Sequence, residues 1–142
     1  MGSDPISSTN LLFARELQRR IEQVGSKLQS IAVHPGVART SIGANRKQLG
    51  QYHLGDHLIT MILGLVMPLL GQPAAAGALP TMYGATSEDA QGGGFYGPSG
   101  FGEMKGPPRA ARIKPAGNDI DAAQRLWTIS EKLTGVQYRI SA

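Results

Sequence analysis

Lys27-Leu28-Gln29-Ser30-Ile31-Ala32-Val33-His34-Pro35-Gly36 is the stretch on which the fold turns. Its second half, Ile31 to Val33, is continuously apolar. A strand with no polar alternation is one covered on both faces, as in a parallel sheet. Pro35-Gly36 ends it, because proline cannot continue a ladder and glycine opens a turn. The pattern predicts a strand over 27–34. Upstream, Phe13, Leu17, Ile21 and Val24 recur at helical spacing, with Arg15, Glu16, Arg19, Arg20 and Glu22 on the other faces. Ser8 or Thr9 can cap that helix, and Gly25 sits where its C-terminus should stop. A helix, a tight turn and a buried strand make one unit of an α/β fold.

Beyond the turn, residues 37–57 read as polar and irregular, and 58–70 as a short apolar helix. Pro73 can open a further helix to about Thr86, bent or interrupted by Pro80. Gly92-Gly93-Gly94 reads as a turn, and Phe95-Tyr96 as the start of a short strand that Pro98 closes. Residues 99–117 read as a loop. Asn118 or Asp119 caps a last helix to about Leu133, and Thr134-Gly135 stops it. Its apolar stripe comprises Ala122, Ala123, Leu126, Trp127, Ile129, Ser130 and Leu133. Val136 to Ile140 reads as an extended tail.

Composition narrows the classes. The chain has 142 residues, 41% hydrophobic and 17% charged, which argues against global disorder. It has no cysteine, which excludes disulfides and thiolate metal sites. Its 19 glycines and 9 prolines make about a fifth of the chain, against about 12% on average. The net charge of +4 is local: Lys105, Arg109, Arg112 and Lys114 supply four positive charges, and residues 104–117 contain no acid. No aromatic interleaves with those cations, so the segment reads as a solvated loop and no nucleic-acid partner is expected. The longest apolar run, Leu58 to Leu70, has thirteen residues broken by Gly64 and Pro68. A spanning helix needs roughly 20 apolar residues. No membrane span and a cytoplasmic setting are therefore expected. His53 and His57 are four apart, but Leu54 stands where a zinc hydrolase needs glutamate, so no metal site is expected. Trp127 reads as core or subunit interface. Met61, Met67 and their neighbours fit a lipophilic pocket as well as a packing helix.

Five stretches, taken together and in order, resemble the C-terminal half of the short-chain dehydrogenases/reductases, in particular the retinol-dehydrogenase-like members. They are Thr9-Asn10-Leu11-Leu12-Phe13-Ala14-Arg15-Glu16-Leu17-Gln18-Arg19-Arg20, Val33-His34-Pro35-Gly36-Val37-Ala38-Arg39-Thr40, Gly77-Ala78-Leu79-Pro80-Thr81-Met82-Tyr83-Gly84-Ala85-Thr86, Tyr96-Gly97-Pro98-Ser99-Gly100 and Leu126-Trp127-Thr128-Ile129-Ser130-Glu131-Lys132-Leu133-Thr134-Gly135-Val136. The resemblance covers roughly residues 8–138. It implies a partial Rossmann-like α/β fold, helix-dominated, holding the last two parallel strands with flanking helices. Residues 1–7 then read as a leader or non-native tail, and 8–142 as the C-terminal half of the domain.

The same resemblance implies chemistry. In the family, the backbone after the Pro-Gly turn faces the nicotinamide carboxamide and a following threonine adds a hydroxyl. Pro35, Gly36, Val37 and Thr40 would take those places, and residues 41–70 would form the substrate loop. The implied parent is an NAD- or NADP-dependent oxidoreductase acting on a carbonyl or alcohol. This chain departs from it where the reaction is carried: the family's Tyr-x-x-x-Lys falls on Ser3 and Ser7. Serine supplies neither the tyrosine's acid/base group nor the ammonium that lowers its pKa. The glycine-rich dinucleotide fingerprint is missing as well, and Gly92-Gly93-Gly94 does not join a strand to a helix N-terminus as that fingerprint must. The expectation is a chain with no catalytic residue of its own, inactive alone and binding no cofactor alone. The alternative is a non-catalytic module that self-associates or binds a partner, the missing N-terminal half included.

Overall fold

A computed structural model describes residues 5–37 and 71–140. Within them the chain forms helix α1 (Pro5–Gln23), strand β1 (Ala32–Val33), helices α2 (Ala74–Gly77) and α3 (Leu79–Thr86), strand β2 (Phe95–Pro98), strand β3 (Pro108–Ala110) and helix α4 (Ile120–Thr134). Short 3-10 turns at Phe101–Glu103 and Pro115–Asn118 punctuate the segment between β2 and α4. No helix among the described residues is long and apolar enough to cross a membrane.

The helix boundaries follow from local chemistry. α1 starts at Pro5, so Pro5, Ile6 and Ser7 are helical, and Ser8 and Thr9 lie inside the helix rather than at its cap. It ends where expected: Gly25 takes a φ of +69°, and Ser26 N–H reaches back to Ile21 O at 3.2 Å. That is a left-handed glycine cap. The helix after Pro73 breaks at Ala78, between α2 and α3, two residues before Pro80. Pro80 has no N–H to give, so the first turn is the place in α3 where it does least harm. α4 is capped by Asp119, whose Oδ1 accepts from Ala122 N–H at 2.8 Å, and closed by Gly135 at φ +69°.

Among the described residues the sheet has three strands in the order β1-β2-β3. β1 and β2 are parallel, with Ala32 opposite Phe95 and Val33 opposite Tyr96. β2 and β3 are antiparallel, with Gly97 opposite Arg109 and Pro98 opposite Pro108. The expected pair of parallel strands is thus present, and β3 is an addition to it. Its two leading prolines hid it in the sequence, but proline is tolerated at the start of an edge strand.

β1 is shorter than the expected 27–34. The backbone of Ser30 bonds elsewhere: its N–H donates to Gln18 Oε1 at 2.7 Å, and its C=O accepts from Gly93 N–H at 2.8 Å. The Ser30 hydroxyl donates to Ala14 O at 2.8 Å. These bonds tie the approach to β1 down to α1 and the glycine turn instead of to a neighbouring strand. Helices α1 and α3 both pack on β1, and Gly84 lets α3 come close to Ile31 and Val33. Ala32 and Val33 are nonetheless only half-buried, not the fully covered pair expected.

The core lies where α1 meets α4. Trp127 is 1% exposed and stacks on Phe13, ring centroids 4.9 Å apart and 16° from parallel. Arg20 lies 4.4 Å above the same indole, and Tyr138 meets it edge-on at 5.6 Å. Beside this stack, Glu16 is buried under two arginines. Arg19 reaches it with two nitrogens, at 2.7 and 2.8 Å, and Arg20 with Nε at 2.8 Å. The hydrogen-bonded Arg19 guanidinium holds the Glu16 carboxyl below its ordinary value of 4.5; burial opposes this and Arg20 reinforces it. A carboxyl lowered on folding contributes stability above 4.5, and that contribution is lost as pH falls through the lowered value. Urea midpoints measured at neutral pH and in steps below 4.5 should therefore fall on the acid side, and E16Q should flatten part of that slope. An unchanged slope in E16Q would remove Glu16 from the account.

Candidate functional site: the turn at the end of β1

β1 delivers His34, Pro35, Gly36 and Val37 to the C-terminal end of the parallel pair, the end at which open α/β sheets bind ligands. Gly36 has a φ of +66°, and a Cβ there would lie 2.4 Å from Met104 O, 2.7 Å from Pro98 Cγ and 2.9 Å from Glu103 O. The loop after β2 thus folds directly against the turn, and only glycine fits.

Four polar backbone groups of the turn have partners within the chain. Gly36 N–H donates to His34 Nδ1 at 3.3 Å. Val37 N–H donates to Met104 O at 2.8 Å, and Val37 C=O accepts from Gln72 N–H at 2.9 Å. Gln72, 5% exposed, also donates from Nε2 to Pro35 O at 2.8 Å and accepts at Oε1 from Gly106 N–H at 3.1 Å. It binds the turn on one side and the loop after β2 on the other. Neither Gln72 nor Met104 was singled out by sequence reasoning. Gln72 follows the long stretch 38–71 and carries no periodic signal, and Met104 acts only through its backbone.

His34 lies beneath the turn. Its Nδ1 accepts a bond, which assigns the ring proton to Nε2 in the neutral form. Nε2 lies 3.5 Å from Glu103 Oε2 and has no hydrogen-bond partner among the described residues. Gly97 makes room for the ring: a Cβ there would be 1.9 Å from Nε2. Glu103 is the one non-glycine residue with positive φ among the described residues, at 57°. Its Oε1 accepts from Arg112 N–H at 2.8 Å.

Of the expected site residues, Pro35, Gly36 and Val37 come together in this turn. Thr40 lies outside the described residues, as do residues 41–70, with His53, His57, Met61 and Met67, and Ser3. Trp127 is core. No group of three or more histidine, aspartate or glutamate side chains suited to a metal occurs among the described residues.

No family model matches the chain. Curated relatives do. Over 129 residues it is 31% identical to Short chain dehydrogenase/reductase dpchH of Colletotrichum higginsianum, covering 85% of this chain and 27% of that protein. Over 131 residues it is 34% identical to human Retinol dehydrogenase 13, covering 89% of this chain and 34% of that protein. Human Retinol dehydrogenase 14 is 31% identical over 128 residues, covering 89% and 33%. The chain is a relative of the short-chain dehydrogenases/reductases. It spans about a third of the length of the curated relatives it matches. Among solved structures, an uncharacterized protein from Mycobacterium paratuberculosis superposes with a TM-score of 0.61 at 28% identity, covering 93% of this chain and 38% of that one. The α/β, partial Rossmann-like architecture expected for a short-chain dehydrogenase/reductase is the one described above.

Proposed function

We propose that this chain is the C-terminal part, over residues 8–142, of an NAD(P)-dependent oxidoreductase that acts on a carbonyl or alcohol, and that alone it does not catalyse that reaction. In the complete enzyme Pro35, Gly36, Val37 and Thr40 are the positions at which the nicotinamide carboxamide is held. A cytoplasmic setting is part of the same proposal.

The observation that carries the proposal is the bonding of Val37. A carboxamide would need its N–H and its C=O, and these are taken by Met104 and Gln72. As folded, the turn does not fit the cofactor; Val37 N–H would have to leave Met104 O, while Val37 C=O, with two lone pairs, would share its acceptor with Gln72. Ser3 and Ser7 in the places of the tyrosine and lysine support the same reading. The test is a steady-state assay of the pure chain with NADPH and NADH against a panel of aldehydes and ketones. No cofactor-dependent turnover is expected. Turnover by the chain alone would sink the proposal.

A second reading is a module that pairs with itself or with the N-terminal part that its longer relatives carry. It is favoured by β1, whose side away from β2 has no neighbouring strand among the described residues. Such an edge presents unpaired backbone groups to another chain. A sedimentation measurement that finds only a clean monomer would count against self-association.

A further inference from the structure

A cleft of about 420 Å³ lies against His34 and Pro35, between the start of α1, β1, and the segment around residues 103–117. Its size falls within the roughly 300–1,000 Å³ of small-molecule sites. Leu11, Val33 and Phe95 line it with apolar surface. Arg112 and Lys114 line it with two cations, both on exposed residues, and neither has an ion-pair partner among the described residues. The acid on the wall, Glu103, is already engaged: one oxygen accepts the Arg112 backbone N–H and the other faces His34 Nε2. Asn10 and Ser8 add neutral donors.

We propose that this cleft binds a small amphiphilic anion, with its apolar body against Leu11, Val33 and Phe95 and a carboxylate or phosphate head at Arg112 and Lys114. Apolar walls give the body its affinity through area removed from water. Charge-assisted bonds to the two cations select the head. A free inorganic anion has no body for the apolar walls, and an uncharged alcohol leaves both cations unpaired. The site makes no use of the Val37 backbone, so it stands whether or not the oxidoreductase reading does.

The test is a titration of the isotope-labelled chain with octanoate, octyl phosphate, octanol and inorganic phosphate, followed by amide chemical shifts. Octanoate and octyl phosphate should bind, with shifts centred on Val33, Arg112 and Lys114. Octanol should bind about tenfold more weakly, having lost two charge-assisted contacts at a part-exposed rim, and inorganic phosphate about tenfold more weakly because it has no apolar body to bury. Added salt should weaken octanoate and leave octanol unchanged. The double variant R112Q/K114Q should bring octanoate down to octanol, with unchanged Trp127 fluorescence as the check that it folds. Equal affinity for octanoate and octanol, shifts lying elsewhere, or a folded double variant that binds octanoate like the original would each overturn the proposal. If octyl phosphate exceeds octanoate, the natural head is a phosphate ester; the reverse order assigns a carboxylate.

Discussion

Gly36→Ala should destabilise the chain by about 3 kcal/mol. Two effects combine, a left-handed backbone at about 1–2 kcal/mol and overpacking at about 1–3 kcal/mol. The crowding is severe because its sources are rigid. A methyl at Gly36 meets two main-chain carbonyl oxygens, Met104 O at 2.4 Å and Glu103 O at 2.9 Å, and a proline ring at 2.7 Å. None is the free end of a long side chain. Met104 O is also the acceptor for Val37, so moving it breaks that bond. Gly25→Ala is the internal control. Gly25 has nearly the same φ, +69°, but a Cβ there meets nothing within 4 Å. It should lose only the backbone part, about 1 kcal/mol. Urea midpoints of the two variants separate conformation from crowding. Equal losses would show that the loop after β2 does not press on the turn.

Trp127→Ala should lose about 3–5 kcal/mol, the range for truncating a buried large aromatic. For a domain of this size that is roughly a 10 °C fall in Tm. The indole is shared by three partners from two directions: Phe13 and Arg20 of α1, and Tyr138 of the tail. Its removal also takes away the surface that holds Arg20 over the helix pair, so the Glu16 cluster loosens with it. Trp127→Phe keeps a ring against Phe13 and should lose clearly less. Thermal melts of the two variants decide. A Trp127→Ala variant that melts with the parent would mean that α4 is not held to α1 by this stack.

Much of this architecture is legible in the residues. Helical spacing of Phe13, Leu17 and Ile21 places α1, and Asp119 and Gly135 bracket α4 close to the expected positions. Pro35-Gly36 marks the turn because both residue types have few other conformations to adopt. The parts that are hidden depend on side chains reaching across the fold. Gln18 captures the backbone of Ser30, twelve residues away, and shortens β1 from eight expected residues to two. Pro108-Arg109 reads as a loop until Pro98 and Gly97 are set opposite it. Gln72 contacts Pro35 from 37 positions away, and no local pattern announces such a bond. The turn was visible as a shape. Its bonding to Gln72 and Met104, which bears on what it can bind, was not.

The two rims of the sheet differ in finish. β3 opens on Pro108, which has no N–H, and carries Arg109 exposed, both of which discourage a further strand. β1 carries only Ala32 and Val33 and has neither device. Among the described residues, the pairing proposed above would therefore add a strand at β1 and not at β3. The template it offers is two residues long, too short to fix register by backbone bonding alone. Whatever strand docks there must be chosen by the helices above and below it, so discrimination between partners resides in α1 and α3 and not in the sheet they cover.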